Sequence, residues 1–297
     1  MWMSNRLNLR LSLLVGLIMT CFAANSVITR YLVLASRVPP YLVTAGRFES
    51  GFLLLLVLTL ARPTRFKRES FEARNLVGGA FLGVYAFSIS YGYLFISVAA
   101  GAFVFYTLVV ITMTIYSIIV AKERLSLQSA TGQLLGLLGV LVITFGGIRS
   151  VTLLGVLLMA ATGTSWGLYS AYGKRFDAAF SYTFNSFLSF GAFTALLLLA
   201  LALFGKLSLV DISRQNIGLL LYMGVISTAL SYVLWNKTMT QIPASLGGLV
   251  QLAVPILSPA MGILLLGESI TAALLLGATL VLIGIYLATA PSIRKKP

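Results

Sequence analysis

The chain has 297 residues, of which 59% are hydrophobic and 9% are charged, and its mean hydropathy is +0.99. This composition is typical of a polytopic membrane protein and excludes an ordinary water-soluble domain. The net charge of +14 could indicate nucleic-acid binding, but the basic residues concentrate in loops between apolar segments, which indicates membrane topology instead.

Ten apolar segments are long enough to cross about 30 Å of hydrocarbon, which takes roughly 20 residues of helix. The predicted spans, numbered 1 to 10, are residues 11–30, 41–61, 75–97, 101–121, 129–148, 152–173, 182–204, 216–236, 245–266 and 271–290. Backbone polar groups in hydrocarbon must bond within their own segment, so we expect helices. The sequence therefore predicts an all-α polytopic membrane protein with ten transmembrane helices.

Span 1 places Cys21, Asn25 and Thr29 on one helical face, and Asn25 is a candidate substrate-binding residue. Cys21 is the only cysteine, so no internal disulfide can form, and we expect it to be a small packing residue. The chain has no histidine and no cluster typical of zinc or haem ligands. We therefore expect neither a metal nor another cofactor.

Span 2 contains Glu49, the one acidic residue that falls well inside a predicted span. Arg47 lies only two residues earlier and so points elsewhere on the helix, which makes Arg30 at the outer end of span 1 the expected partner. A proton- or sodium-coupled transporter usually needs a buried carboxylate near its substrate. Because Glu49 lies toward the outer half, we favour facilitated diffusion, while coupling without carboxylates stays open.

Spans 3, 4 and 6 each carry polar or aromatic candidates on one helical face. The substrate-binding candidates here are Tyr85, Ser88, Thr107, Trp166 and Tyr169. In span 4, the face of Thr107 also carries Phe103 and Thr114. Trp166 and Tyr85 lie near mid-span, where an indole N–H or a phenol O–H needs a polar partner, so we expect both at a cavity.

Spans 8 and 9 supply the remaining candidates. Thr228 and Tyr232 share a face of span 8, whereas Trp235 lies near its inner end and is expected in the interfacial aromatic belt. Span 9 carries a stripe at helical spacing, which consists of Gly247, Gln251, Pro255 and Ser258, the last three being substrate-binding candidates. Pro255 frees a carbonyl one turn back, so we expect a broken helix that borders the cavity.

Spans 5 and 10 consist almost entirely of Leu, Val, Ile, Ala and Gly. Gly132 with Gly136, and Ala273 with Gly277, form pairs of small residues that allow close helix contact. We expect both spans to be scaffold or dimer surfaces that do not line the transport path.

Glu123 and Glu268 lie in tight turns, each followed by Ser or Thr at the start of the next helix. A carboxylate there stabilises the positive end of the helix dipole. We therefore expect a structural role for both residues.

The second half of the chain repeats the first at an offset of about 140 residues. Residues 121–126 match residues 266–271, and Phe48 matches Phe187. Each copy holds five spans, so the second copy begins on the opposite side of the bilayer, as in many secondary transporters. We predict one five-helix repeat over residues 1–149 and an inverted one over residues 150–297, around a central cavity.

Most of the 21 lysine and arginine residues fall on the cytoplasmic side if the N-terminus is placed inside. We therefore expect a multi-pass protein of the bacterial inner membrane with both termini in the cytoplasm. The expected partners are a small-molecule substrate and the lipid bilayer, with no nucleic acid, in a monomer or a homodimer.

Several short patterns resemble the drug/metabolite transporter superfamily, in its ten-helix branch with two EamA domains. They are residues 25–30, Arg47-Phe48, residues 165–175, Pro255 and Gly267-Glu268. In departure from the family pattern, Ala23-Ala24 stands where many members carry Trp-Gly, and Val110 stands at the counterpart of Pro255. The resemblance implies that helices 1–4 and 6–9 surround the cavity, that helices 5 and 10 lie outside, and that the protein exports a metabolite.

Within that family the chain is most similar to the bacterial aromatic amino acid exporters. An aromatic, weakly charged cavity suits a zwitterion with a flat ring, whereas a sugar phosphate needs several basic residues and the sequence offers no mid-membrane Lys or Arg for it. A multidrug exporter is the alternative, and Glu49 is its one candidate carboxylate. A membrane-embedded enzyme lacks the histidine or carboxylate pair that it needs, and a passive channel stays open.

Overall fold

The computed structural model of the protein describes residues 9–61, 73–96, 98–145, 152–176, 178–207, 212–266 and 271–289. Every regular element in these ranges is helical. The helices are α1 (Leu9–Ala35), α2 (Pro40–Leu60), α3 (Ala73–Gly92), α4 (Val98–Ile119), α5 (Leu127–Phe145), α6 (Leu153–Gly173), α7 (Ala179–Leu203), α8 (Arg214–Met239), α9 (244–266) and α10 (Ala272–Thr289). The predicted all-α polytopic fold is confirmed.

Three helices depart from regular α geometry. α1 ends in a π-helical turn, Tyr31–Ala35, and α8 is π-helical over Met223–Leu230. α9 narrows to a 3₁₀ turn at Gln251–Ala253, directly before Pro255. A proline cannot donate to the carbonyl four residues earlier, which is that of Gln251, so the predicted break in span 9 is confirmed.

The first repeat does not share this break. α4 runs without interruption through Val110, the residue that corresponds to Pro255. The backbones of the two halves therefore differ at this position, and the physical cause is the single proline.

Helices of one half pack against helices of the other half in a symmetric pattern. α6 packs against α3 and α4, while α1 packs against their counterparts α8 and α9. α2 packs on α7, and α5 packs on α10, so each of these helices meets its own counterpart. This is the contact pattern of two inverted copies related by an approximate two-fold axis, with α1–α4 and α6–α9 around the centre.

Two residues that match in sequence meet at this axis. The rings of Phe48 on α2 and Phe187 on α7 lie 5.2 Å apart, and both side chains are fully buried. Residues at equivalent positions can touch only near the axis that relates them, so the pair locates the centre of the bundle.

Glycines allow the backbones of α5 and α10 to touch. A Cβ atom on Gly139 would lie 2.5 Å from the carbonyl oxygen of Gly277, and one on Gly132 would lie 2.5 Å from that of Gly284. The predicted close contact at Gly132 and Gly136 is confirmed, since a Cβ on Gly284 would clash with the carbonyl oxygen of Gly132 and would lie 2.9 Å from the backbone nitrogen of Gly136. A Cβ on Gly136 itself would meet Leu252 of α9 at 2.6 Å. Because α5 and α10 cover each other within one chain, their glycine faces are scaffold contacts and not a dimer surface.

Glu123 does not stabilise the start of the next helix as expected. The hydroxyl of Ser126 caps α5 by accepting the N–H of Ser129 at 3.1 Å. Glu123 instead accepts the backbone N–H of Ala244 at the start of α9, at 3.1 Å, and forms a salt bridge with Lys174. The expectation was wrong because the turn that contains Glu123 packs against the start of α9, a helix from another part of the chain. Glu268 lies outside the described residues.

Candidate functional site

A small cavity lies at the centre of the bundle, where α1, α3, α4, α6 and α8 meet. It is lined by Phe22, Asn25, Ser26, Tyr85, Phe105, Tyr106, Trp166 and Tyr232. Its volume is about 10 Å³, which is roughly the room that one water molecule needs. In this conformation the side chains have therefore closed on the central space.

A larger space lies elsewhere and has a different character. A surface groove of about 440 Å³ runs between the start of α5 and the end of α10, bordered by Ser126 and Leu287 among others. It is shallow and mostly apolar and lies away from the buried polar side chains, so we place the candidate site at the central cavity.

The aromatic side chains around the cavity touch one another edge-on or at a tilt. The ring of Phe22 meets Trp166 edge-on at 5.3 Å and Tyr232 edge-on at 5.8 Å. Trp166 also lies 5.0 Å from Tyr85 and 4.7 Å from Tyr232. Such pairs are held by ring electrostatics and burial, and in this closed conformation the rings pack against one another.

Trp166 and Gln251 are joined by a hydrogen bond deep in the protein. The indole N–H donates to the side-chain oxygen of Gln251 at 2.6 Å, and the amide nitrogen of Gln251 donates to the carbonyl of Gly247 at 3.0 Å. This confirms that mid-span Trp166 has a polar partner. It also anchors the ring of Trp166 to the broken segment of α9.

Arg47 is the charged group beside the cavity, and it is not among the substrate-binding residues predicted from the sequence. Its side chain is only 2% exposed. Nε donates to the hydroxyl of Thr228 at 2.7 Å, and Nη2 donates to the phenol oxygens of Tyr232 at 2.6 Å and Tyr85 at 3.2 Å. The expectation that no arginine lies at the cavity is therefore wrong, because α2 turns Arg47 inward among tyrosines.

The π-helical part of α8 places Thr228 between two polar residues. Its hydroxyl oxygen accepts a hydrogen bond from Nε of Arg47 and another, at 3.4 Å, from the amide nitrogen of Asn25. π-helical segments often occur at functional sites because they shift the register of side chains along a helix. The arrangement groups Arg47, Thr228 and Asn25 directly beside the cavity.

Four of the predicted substrate-binding residues line the cavity, namely Asn25, Tyr85, Trp166 and Tyr232. Three more are fully buried one layer behind it, and they are Thr228, Gln251 and Tyr169. Tyr169 stacks on Trp166 at 5.5 Å and accepts a hydrogen bond from Asn236 at 2.9 Å. Pro255 lies just after the break in α9.

The remaining candidates do not reach this space. Ser88 and Ser258 are buried, and the hydroxyl of Thr107 is buried without a hydrogen-bond partner among the described residues, but none of the three lines the cavity. The predicted inward face of span 4 is wrong, since Phe105 and Tyr106 line the cavity while Thr114 donates a hydrogen bond to Gln133 of α5. The threonines misled the prediction because a polar side chain can face a neighbouring helix as well as the cavity.

Two further expectations are corrected. Trp235 is not in an interfacial belt, because it is fully buried and its indole N–H donates to Ser170 at 2.9 Å. Glu49 does not pair with Arg30, which is exposed near the C-terminal end of α1, but accepts a hydrogen bond from Thr194 on α7. Glu49 therefore faces away from the cavity. Cys21, by contrast, is buried as predicted.

Some residues at the cavity were not predicted, although the sequence contains weak indications for several of them. Phe22 lies three residues before Asn25 and four residues before Ser26, and both spacings place residues side by side on a helix. Arg47 interrupts an apolar helix, and charged residues within spans usually face the protein interior. Phe105 and Tyr106 were missed because Thr107 and Thr114 indicated a different face of span 4.

Comparison with known proteins gives the family. The sequence model of the EamA-like transporter family matches residues 10–145 and again residues 153–290. An uncharacterized protein of Pseudomonas aeruginosa is 35% identical over 95% of both chains. The uncharacterized transporter YoaV of Bacillus subtilis is 27% identical over 87% of this chain and 90% of its own.

Two other similarities bear on function and fold. A probable amino-acid metabolite efflux pump of Salmonella typhimurium is 28% identical, with 84% of this chain and 85% of the pump covered. A solved crystal structure is similar with a TM-score of 0.74 at 24% identity and covers 92% of this chain and 97% of its own. The latter likeness shows the fold alone.

Proposed function

The chain belongs to the EamA-like transporter family, and from that premise we propose that it exports aromatic and other apolar amino acids across the bacterial inner membrane. The observation that carries the proposal is the cavity itself, in which six aromatic side chains surround a space bordered by Asn25 and backed by Arg47. Rings bind a flat apolar side chain by stacking and edge contacts, while the polar residues suit the charged groups of an amino acid.

The similarity to a probable amino-acid metabolite efflux pump supports this substrate class. The broken α9 and the π-helical α8 support a site at the centre of the bundle, because irregular backbone at membrane depth occurs where it borders a cavity or packs on protein. We infer an alternating-access cycle in which the two repeats, over residues 1–149 and 150–297, rock against each other around this site. The contracted cavity then corresponds to a state without room for substrate.

Facilitated diffusion fits the charges around the site. Among the described residues no carboxylate lines the cavity, and Glu49 points toward α7. A coupled exporter usually needs a carboxylate that substrate or ion can reach. The proposal is therefore a carrier driven by the gradient of its own substrate, with both termini in the cytoplasm.

Proteoliposomes that contain the purified protein test this function. We expect uptake and efflux of labelled tryptophan and phenylalanine, and less of threonine, at rates that do not change when a pH gradient is imposed. Trp166→Ala removes the central ring and its hydrogen bond to Gln251, so we expect the transport rate of tryptophan to fall by about tenfold or more. Tyr286→Ala, at an aromatic residue on the exposed face of α10, is the matched control.

Two results would contradict the proposal. One is transport of lipophilic cations without any transport of amino acids, which would favour the multidrug alternative. The other is a Trp166→Ala variant that transports tryptophan at the parent rate, which would place the substrate path elsewhere. A strong dependence on the pH gradient would remove facilitated diffusion while leaving the substrate class intact.

A further inference from the structure

Arg47 is a buried positive charge without a negative partner. Within the described residues it forms no salt bridge, and the contacts around its guanidinium are the neutral groups of Thr228, Tyr85 and Tyr232. It lies seven residues after Pro40, which is roughly 10 Å along the axis of α2. Charges at this depth in a bilayer are costly unless they are paired, so a lone guanidinium there is expected to have a function.

The guanidinium also has hydrogen-bonding capacity to spare. An arginine side chain carries five N–H donors. Three hydrogen bonds are formed, one by Nε and two by Nη2, and Nη1 makes none to any residue that the structure describes. Aromatic rings compensate part of the charge, since the guanidinium carbon lies 4.9 Å from the ring centre of Phe48 and 5.4 Å from that of Tyr85.

Asn25 supplies the complementary feature on the same side of the cavity. Its side chain is 4% exposed and lines the cavity, and its Oδ1 atom has no hydrogen-bond partner in the part of the chain that the structure describes. Its amide nitrogen shares the hydroxyl of Thr228 with Nε of Arg47. The two N–H groups of Arg47 Nη1 and the acceptor Oδ1 of Asn25 are therefore unused by the residues that the structure describes, and the two side chains lie on either side of Thr228.

We propose that Arg47 binds the carboxylate of the transported solute and that Asn25 Oδ1 accepts a hydrogen bond from its ammonium group. The planar fork of arginine matches a carboxylate with two parallel N–H···O bonds. Tyr85 and Tyr232 hold Nη2 while the cavity is contracted, and their phenol groups give way to the carboxylate when it opens. The inference rests on the proposed amino acid transport and names the groups by which the substrate is recognised.

Three phenyl compounds separate the two contacts. L-Phenylalanine carries both charged groups, 3-phenylpropanoate carries only the carboxylate, and 2-phenylethylamine carries only the ammonium. None of them absorbs light at the wavelengths that excite tryptophan. The emission of the protein's three tryptophans, of which Trp166 lines the cavity, therefore reports binding to purified protein in detergent. We expect the parent protein to bind L-phenylalanine most tightly and to prefer 3-phenylpropanoate over 2-phenylethylamine.

Variants at the two residues should have opposite selectivity. Arg47→Met should weaken binding of L-phenylalanine and 3-phenylpropanoate by about 10- to 100-fold and leave that of 2-phenylethylamine within about twofold. Asn25→Ala should weaken the two ammonium compounds by about 10-fold and spare 3-phenylpropanoate. Arg30→Gln removes the same charge from an exposed site and should change none of the three affinities.

Arg47 could instead have a structural role alone, in which case Arg47→Met weakens all three compounds equally, and that result overturns the inference. If Arg47→Met does not fold, Arg47→Lys keeps the charge without the fork and should retain a weakened preference for the carboxylate compounds. A parent protein that binds 2-phenylethylamine as tightly as 3-phenylpropanoate, or that binds no carboxylate compound, also overturns it.

Binding in detergent and transport in proteoliposomes together distinguish failure of this inference from failure of the proposed function. If the parent shows the expected selectivity in detergent but proteoliposomes move no amino acid, the proposed transport fails and the role of Arg47 stands. If proteoliposomes transport phenylalanine equally with and without Arg47→Met, the proposed function stands and the role of Arg47 fails.

Discussion

Glu123 joins three parts of the chain that are distant in sequence. Its carboxylate accepts hydrogen bonds from Ser117 at the end of α4, from Lys174 after α6 and from the first N–H of α9. Burial by itself raises the pKa of this carboxyl group, but the hydrogen bonds from Lys174 and Ser117 and the charge of Lys174 together hold the pKa below its usual range. The ionised form is therefore the one that the fold stabilises.

This depressed pKa predicts a specific dependence of stability on pH. A carboxyl whose pKa is lower in the folded state stabilises the protein fully above its unfolded pKa of about 4.3, and the contribution is lost as the pH falls through the folded value. We expect Glu123→Gln to lower the unfolding temperature by a constant amount between about pH 8 and 5, and the difference from the parent to shrink below about pH 4.

Thermal unfolding in detergent over this pH range measures the effect. Arg124→Gln alters an exposed charge in the same turn and should show no such dependence. A difference between parent and Glu123→Gln that persists undiminished at about pH 3 would show that ionised Glu123 is not responsible.

Two helices of the second repeat owe their shape to different causes. In α9 the cause is visible in the sequence, because Pro255 cannot bond to the carbonyl of Gln251. In α8 the π-helical stretch Met223–Leu230 contains no proline, and its Gly224 packs so closely on α2 that a Cβ would meet the carbonyl of Arg47. The second distortion depends on a neighbouring helix and could not be predicted from α8 alone.

The contact of α5 with α10 predicts a sharp difference between two glycines. Gly139→Ala places a methyl group 2.5 Å from the carbonyl oxygen of Gly277, so the helices must separate. We expect a loss of about 1–3 kcal/mol in stability, seen as a lower unfolding temperature. Gly218→Ala on α8 is the control, since a Cβ there has nothing within 4 Å and alanine favours helix by up to about 1 kcal/mol.

Equal unfolding temperatures for the two glycine variants would contradict this packing. Loss of stability in Gly139→Ala together with an unchanged substrate preference would support the role of α5 and α10 as scaffold. The comparison isolates close contact from helix propensity, because both variants add the same methyl group to a helix.

For the whole molecule, the inverted repeat makes a prediction about sidedness. Arg124 follows α4, Lys206 follows α7, and both are exposed. From the excess of basic residues on one side we predict that Arg124 lies in the cytoplasm and Lys206 outside. Cys21 is replaced by serine to leave no other cysteine, and Arg124→Cys or Lys206→Cys is then introduced.

An impermeant maleimide distinguishes the two sites in intact cells. We expect Lys206→Cys to be labelled directly and Arg124→Cys only after the cells are opened. Direct labelling of Arg124→Cys would invert the proposed orientation. Arg124 and Lys206 are separated by three helices, α5, α6 and α7, so they are predicted to lie on opposite sides of the membrane. Labelling of both cysteines in intact cells would show that these three helices do not all cross the membrane.

The elements of the fold were predictable because they depend on local chemistry. Apolar length, the repeat and one proline gave the ten spans, their inversion and the break in α9. Seven of the predicted site residues line the cavity or lie directly behind it, since polar and aromatic side chains in apolar helices turn toward protein. The division at residue 149 and the assignment of these residues to substrate stay predictions.

The sequence by itself determined the class of protein, the pseudo-symmetry and the inward faces of α1, α6 and α8, because hydrophobic periodicity and repeats are encoded along the chain. Only the tertiary structure decided the partners: Arg47 with Thr228 and Tyr232, Trp166 with Gln251, and Glu123 with α9. These pairs join residues 85 to 185 positions apart, and such contacts are fixed by how whole helices pack.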